Sequence, residues 1–134
     1  MVSQRLKNIF LLTLIPIYIH GIEEVVTGFP HVDDFMKFGA NYFRISPAQF
    51  YWDSHIIFWI SLPLLYLLFQ KKRIALLLFS LFGIFFIVEL HHIYKAIYFK
   101  SYYPGLLTAL IYPLIGVFYY QELLRNWRKK YGRN

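Results

Sequence analysis

His20, Glu23 and Glu24 fall in the single run His20-Gly21-Ile22-Glu23-Glu24, at the far end of an otherwise apolar stretch. An imidazole and two carboxylates at i, i+3 and i+4 project from one side of an α-helix. A carboxylate inside a bilayer costs roughly 3 kcal/mol even on the mildest scales, so it must be paired, protonated or bound to a cation. The pattern points to metal binding, and the other candidate ligands are His55, Glu89 and His92. The chain has no cysteine, so any metal is held by nitrogen and oxygen, and a divalent ion such as zinc, iron or manganese fits. Two chemistries follow. Three imidazoles from His20, His55 and His92 could hold zinc while Glu23 or Glu24 acts as general base on a bound water. Alternatively, Glu23, Glu24 and Glu89 could bridge two irons, since Glu89-x-x-His92 has the spacing that carboxylate-bridged di-iron bundles use on two of their helices.

The elements that must position these residues are helical and apolar. Of the residues, 58% are hydrophobic and only 16% charged, and the mean hydropathy is +0.45. That excludes an ordinary soluble domain and leaves no material for a second one. The predicted fold is all-α, a polytopic four-transmembrane-helix up-down bundle in a single domain, with helices over about 6–27, 47–69, 73–99 and 104–126 and an outer loop over 28–46. A basic start before a short apolar run also describes a signal peptide. Here the run ends in His-Gly-Ile-Glu-Glu instead of a small-residue cleavage site, so it is read as the first span. Pro16 should kink that span one turn before His20. The outer loop, with Phe35, Phe38, Tyr42 and Phe43, reads as carrying a short interfacial helix. Ser46-Pro47-Ala48-Gln49 is a helix-start grammar: Ser as N-cap, Pro at the first position, Gln at the third.

Arg5, Lys7, Lys71, Lys72, Arg73 and the basic residues from Arg125 to Arg133 all fall on one side of such a bundle. The positive-inside rule then places both termini in the cytoplasm, with the chain integral to the cytoplasmic (plasma) membrane. The net charge of +7 is therefore a topology signal. Its nearest partners are membrane lipid headgroups, with no nucleic acid implied. At about 1.5 Å of rise per residue, His20 lies roughly 20 Å above Lys7, His55 about 24 Å above Lys71, and Glu89 and His92 about 24 and 28 Å above Arg73. Three helices thus deliver their rare polar residues to one layer. Within it, Glu89 and His92 share a face, whereas His91 is turned away by about 200° from Glu89. His31, Asp33, Asp34 and Asp53 read as solvated groups at headgroup level, and Tyr102 and Tyr103 as part of the aromatic belt.

The run His20-Gly21-Ile22-Glu23-Glu24, the histidine at 92 and the turn Tyr102-Tyr103-Pro104-Gly105-Leu106-Leu107-Thr108-Ala109 together resemble the HXXEE domain family of small integral membrane proteins. Val88 stands where that family often carries Asn, and the polar group here is Glu89. The resemblance implies a multi-pass membrane protein and names no reaction. The functional expectation is a metal-dependent enzyme, hydrolase or oxidase, acting on a lipid-like substrate that enters between helices, and self-association into a homo-oligomer is compatible with the apolar surface. Two other readings use the same residues: metal-ion or proton transport, and a non-catalytic module whose buried polar network locks the helices together.

Overall fold

The structure, a computed structural model, describes residues 2–69 and 74–132. The expected basic turn Lys71-Lys72-Arg73 and Arg133 lie outside the described residues. Among those described, every regular element is an α-helix: α1 (Gln4–Val26), α2 (Phe29–Val32), α3 (Asp34–Phe43), α4 (Pro47–Leu68), α5 (Ala75–Val88), α6 (Leu90–Phe99), α7 (Leu106–Ala109) and α8 (Tyr112–Tyr131).

Local sequence accounts for the helix boundaries. The Ser3 hydroxyl accepts the Leu6 amide and starts α1, and the Ser46 hydroxyl accepts the Gln49 amide with Pro47 at the first position of α4. Asp33 caps α3 by accepting the amides of Phe35 and Met36. Helix α1 continues through Pro16. The stretch expected as one helix over 73–99 is interrupted at Glu89, between α5 and α6. The stretch expected over 104–126 is also divided: Pro113 cannot donate to the carbonyl of Ala109, so the ladder lapses between α7 and α8. The outer segment 28–46 holds two helices, α2 and α3, reached through Gly28 at φ 83°.

The long rods α1, α4, α5–α6 and α7–α8 alternate in direction. Near its start, α1 places Phe10 at 4.7 Å between ring centroids from both Phe69, at the end of α4, and Phe82 of α5. Its Ser3 amide donates to Asn126 Oδ1, near the end of α8, at 2.7 Å. Phe79, Phe86, Tyr112 and Tyr119 complete the buried inner core, and a smaller outer cluster joins Phe29, Met36, Tyr51 and Tyr103. The residues with chemistry lie between these two cores.

Among the described residues, three segments are long and apolar enough, by length and composition, to cross a membrane: Gln4–Val26, Ala75–Phe99 and Leu106–Tyr131. This corrects the expectation of four spans. Helix α4 has 22 residues, but Gln49, Asp53, Ser54 and His55 dilute its first half, and Ser61 and Pro63 interrupt its second.

Close approach of α4 to α1 depends on Gly21, where a Cβ would lie 2.4 Å from the Trp59 ring. That ring is hemmed in by Tyr18, Trp52 and His55. Replacing Gly21 with Leu gains about 1 kcal/mol of helix propensity. Overpacking then outweighs that gain by forcing the two helices apart. The expected outcome for Gly21→Leu is a lower thermal unfolding midpoint in detergent, and an unchanged midpoint would remove the close contact from the account.

Candidate metal centre

Helix α1 turns His20 and Glu24, one turn apart, onto its buried face. From the opposite rod, Glu89 at the α5–α6 junction and His92 of α6 point back at them. His20 Nε2 lies 3.2 Å from His92 Nε2 and 2.8 Å from Glu89 Oε2, and His92 Nε2 lies 3.5 Å from the same oxygen. Metal bonds near 2.0–2.2 Å at tetrahedral angles place ligand atoms about 3.4 Å apart. His20, Glu89 and His92 therefore form a group that could hold a metal ion. Glu24 Oε1 faces the same two nitrogens, at 3.7 Å from His20 and 3.3 Å from His92.

Hydrogen bonds behind the rings determine which nitrogen carries the proton. His92 Nδ1 lies 2.6 Å from the Pro104 carbonyl, which can only accept, so Nδ1 is the protonated nitrogen. The Thr108 hydroxyl donates to Glu23 Oε2 and so is left to accept from His20 Nδ1 at 2.7 Å. As neutral imidazoles, both rings thus present Nε2 lone pairs to each other and to two carboxylates. Such a convergence is repulsive unless a proton or a metal cation occupies it. Glu89 Oε2 is buried and makes no hydrogen bond, although His20 Nε2 is 2.8 Å away. The contact is short in distance and wrong in angle, as expected for two atoms aimed at a common third.

Of the sequence-predicted residues, the structure brings His20, Glu24, Glu89 and His92 to this point and places His55 beside it. His55 reaches Glu24 Oε2 at 3.4 Å, stacks on Tyr51 at 3.7 Å and has its Nδ1 3.0 Å from the Tyr51 carbonyl. Glu23 lies one layer away: it accepts the amides of Leu107 and Thr108 and the hydroxyls of Thr108 and Tyr102. His91 turns from the group toward Asp33, at 3.5 Å.

Sequence reasoning did not identify several supporting residues. Tyr51 donates its hydroxyl to Glu24 Oε2 at 2.8 Å and to the Gly21 carbonyl at 2.9 Å. Gly105, at φ 84°, has no room for a side chain, since a Cβ would lie 2.7 Å from the His92 ring and 2.9 Å from that of His20. Asp33, expected at headgroup level, is buried and accepts from Tyr103 at 3.0 Å. Tyr103, expected in the aromatic belt, is buried, and it and the exposed Tyr102 donate hydrogen bonds to Asp33 and Glu23. The Pro104-Gly105 turn is visible in the sequence as a turn, whereas the capping role of Asp33 is not among the sequence expectations. Nothing in their types revealed which ring or carboxylate they would meet.

Burial alone would raise the Asp33 carboxyl, but hydrogen bonds from His91, the Met36 amide and Tyr103 overcome it and hold the group below its ordinary value near 3.8. A depressed carboxylate contributes stability that is fully present above the ordinary value and is lost as pH falls through the folded one. Asp33→Asn should therefore cost on the order of 1 to 3 kcal/mol at pH 7. Its deficit against the wild type should close only in acid, below the ordinary carboxylate range. Thermal midpoints of both proteins across pH check this, and a deficit already gone at neutral pH would refute it.

Comparison with curated proteins and with solved structures finds no match. The family described as "Protein of unknown function with HXXEE motif" matches residues 11–120, a span that contains His20, Glu23, Glu24, His55, Glu89 and His92. With most of its length matched, and with the motif's histidine and second glutamate built into the buried group, the chain belongs to the HXXEE-motif family of proteins of unknown function.

Proposed function

We propose that the protein is a metal-dependent membrane hydrolase acting on a lipid-like substrate, with zinc as the ion that best suits two imidazoles and a carboxylate. The observation that carries this reading is the pair of Nδ1-protonated imidazoles aimed, with the orphaned Glu89 oxygen, at one buried point beside a cavity. When bound, such an ion polarises a carbonyl and lowers the pKa of a water. The chain's own residues supply the rest. Pro104 and Thr108 hold the two rings in the ligating tautomer, and Glu23 anchors Thr108. Glu24, held from behind by Tyr51 and His55, stands ready to accept a proton.

A second reading uses the same three ligands. Two histidines and one carboxylate on one side of a metal also suit a non-haem iron oxidase. A di-iron centre bridged by Glu23 is not supported, because both of its oxygens are engaged by residues 102–108. A purely structural polar network would satisfy Glu89 Oε2 only through a protonated His20 or His92, whose Nε2 atoms lie 2.8 and 3.5 Å from it. Transport finds no support in the inner core, where Phe10, Phe79, Phe82 and Tyr119 fill the space between helices.

Membrane placement extends this reading. The outward residues Ile57, Ile60, Leu64 and Leu67 of α4 are exposed and apolar, so α4 suits the same apolar surroundings as the three candidate spans. Arg5, Lys7 and the basic end of α8 gather at one end of the bundle, the end that the positive-inside rule assigns to the cytoplasm.

Elemental analysis of the detergent-purified protein tests the proposal. The wild type is expected to carry about one zinc per chain, and His20→Ala and His92→Ala to carry none. Thr108→Val, which removes the acceptor behind His20 together with one donor to Glu23, should weaken affinity about 10- to 100-fold. Glu24→Gln should retain the metal, whereas its loss would mark a closed four-ligand site without catalysis. One iron in place of zinc selects the oxidase, and no metal after reconstitution with zinc, iron or manganese ends both readings.

A further inference from the structure

The candidate centre forms one wall of a cavity of about 480 Å³. Its apolar part is walled by Ile17 of α1, Phe58 and Trp59 of α4, and Phe85 and Val88 of α5. Phe58 and Phe85 stack at 5.8 Å and close the end toward the inner core. Val88 of α5, 55% exposed, also lines it, and the lining residues Phe58 and Val88 are flanked in sequence by the exposed Ile57 and Ile87. The exposed Phe35 of α3 lines it as well, so the cavity reaches exposed apolar side chains on both α5 and α3.

Size and charge narrow what could enter. The cavity lies in the lower part of the roughly 300–1,000 Å³ range of small-molecule pockets, a size that suits one acyl chain better than two. Among the described residues no lysine or arginine lines it, while Glu24, Asp33 and Glu89 all do. A phosphate head would meet three carboxylates and, beyond the imidazoles of His20, His55, His91 and His92, no cationic side chain. A neutral or amine-bearing head finds acceptors at Asp33 and in the Ser54 hydroxyl.

We infer that the substrate is a single-chain acyl ester or amide with a neutral or amine-bearing head, entering sideways from the bilayer between α4 and α5 and laying its carbonyl beside His20, Glu89 and His92. The position of the carbonyl rests on the metal-centre reading, and the occupancy of the cavity by the chain does not. Hydrolysis consumes one water. The acyl C–O or C–N bond breaks, the water's hydroxyl joins the acyl carbon, and its proton passes by way of Glu24 to the leaving oxygen or nitrogen.

Trp59 makes the cavity readable. In the full chain carrying Trp52→Phe and Trp127→Phe it is the sole indole, and bromine on a bound acyl chain quenches its fluorescence. The protein is placed in unbrominated phosphatidylcholine nanodiscs and titrated with dibromostearoyl ethanolamide or with dibromostearoyl lysophosphatidic acid. The ethanolamide should quench saturably, and the phosphate probe should need about tenfold more for the same effect. Narrowing the cavity from either side, by Val88→Phe or Ser54→Phe, should shift the ethanolamide curve to higher probe. Stripping metal with a chelator should leave that curve in place, so failure of the metal reading and failure of this one show in different measurements. Linear quenching, equal for the two probes, would mean partition into the surrounding lipid and would overturn the inference. Tighter binding of the phosphate probe would overturn the assignment of the head.

Discussion

Two imidazole lone pairs and two carboxylates aimed at one another in an apolar bundle form the constraint to which the rest of the structure answers. Each buried carboxylate alone costs roughly 3 kcal/mol in a membrane setting. Here two of them face nitrogens that cannot donate while neutral, because Pro104 and Thr108 take the only ring protons. The arrangement is stable only with positive charge at its centre. A proton shared among the four groups would neutralise one charge, whereas a divalent ion neutralises both and satisfies the lone pairs together. The Pro104-Gly105 turn has no obvious purpose in connecting α6 to α7 other than this: it brings a carbonyl against one ring and a glycine against both.

The inner half of the bundle is built differently. Its helices are joined by edge-to-face and stacked phenyl rings around Phe10, Phe69 and Phe79. Tyrosine hydroxyls donate to the carbonyls of Phe79 and Gly83 across the α5–α8 contact. The far end is closed by Ser3, Glu122 and Asn126, with the Ser3 hydroxyl on Glu122 at 2.7 Å and Asn126 linking the two. Rigid aromatic packing and a polar clamp at that end let the rods separate at the other. A cavity between α4 and α5 can then persist without threatening the fold, since α5 is held by α8 and α4 by α1 and α3.

Depth and face arithmetic recovered much of the centre from sequence, because both depend only on helical rise and rotation. They put His20, His55, Glu89 and His92 in one layer and turned His91 away, and His91 is found on Asp33. The arithmetic could not see acceptors that belong to the backbone, such as the Pro104 carbonyl, since no side chain advertises them. It also could not see that Thr108, named in the sequence only as part of the 102–109 turn, is the group behind His20. The number of spans was misjudged for a related reason. Four helical rods were legible from capping and apolar runs, but α4 uses its first half to build the cavity wall, and those polar residues take it below the composition of a span.

The five-residue motif can now be read position by position. With about 100° of rotation per residue, taking His20 as zero puts Glu24 at about 40°, Gly21 at about 100°, Glu23 at about −60° and Ile22 at about 200°. His20 and Glu24 accordingly share the inward face. Gly21 lies on the flank where Trp59 and Tyr51 of α4 press against the backbone. Glu23 lies on the opposite flank, where it meets the amides and hydroxyl of residues 107 and 108. Ile22 points outward and is exposed, so an apolar side chain there need only suit lipid. Adjacent glutamates in one string therefore have different jobs, because a single step of helical rotation carries one into the centre and the other behind it. The motif is a geometric device in which one turn of helix supplies a candidate ligand, a neighbouring carboxylate, the support behind that imidazole, and the gap into which the adjacent helix fits.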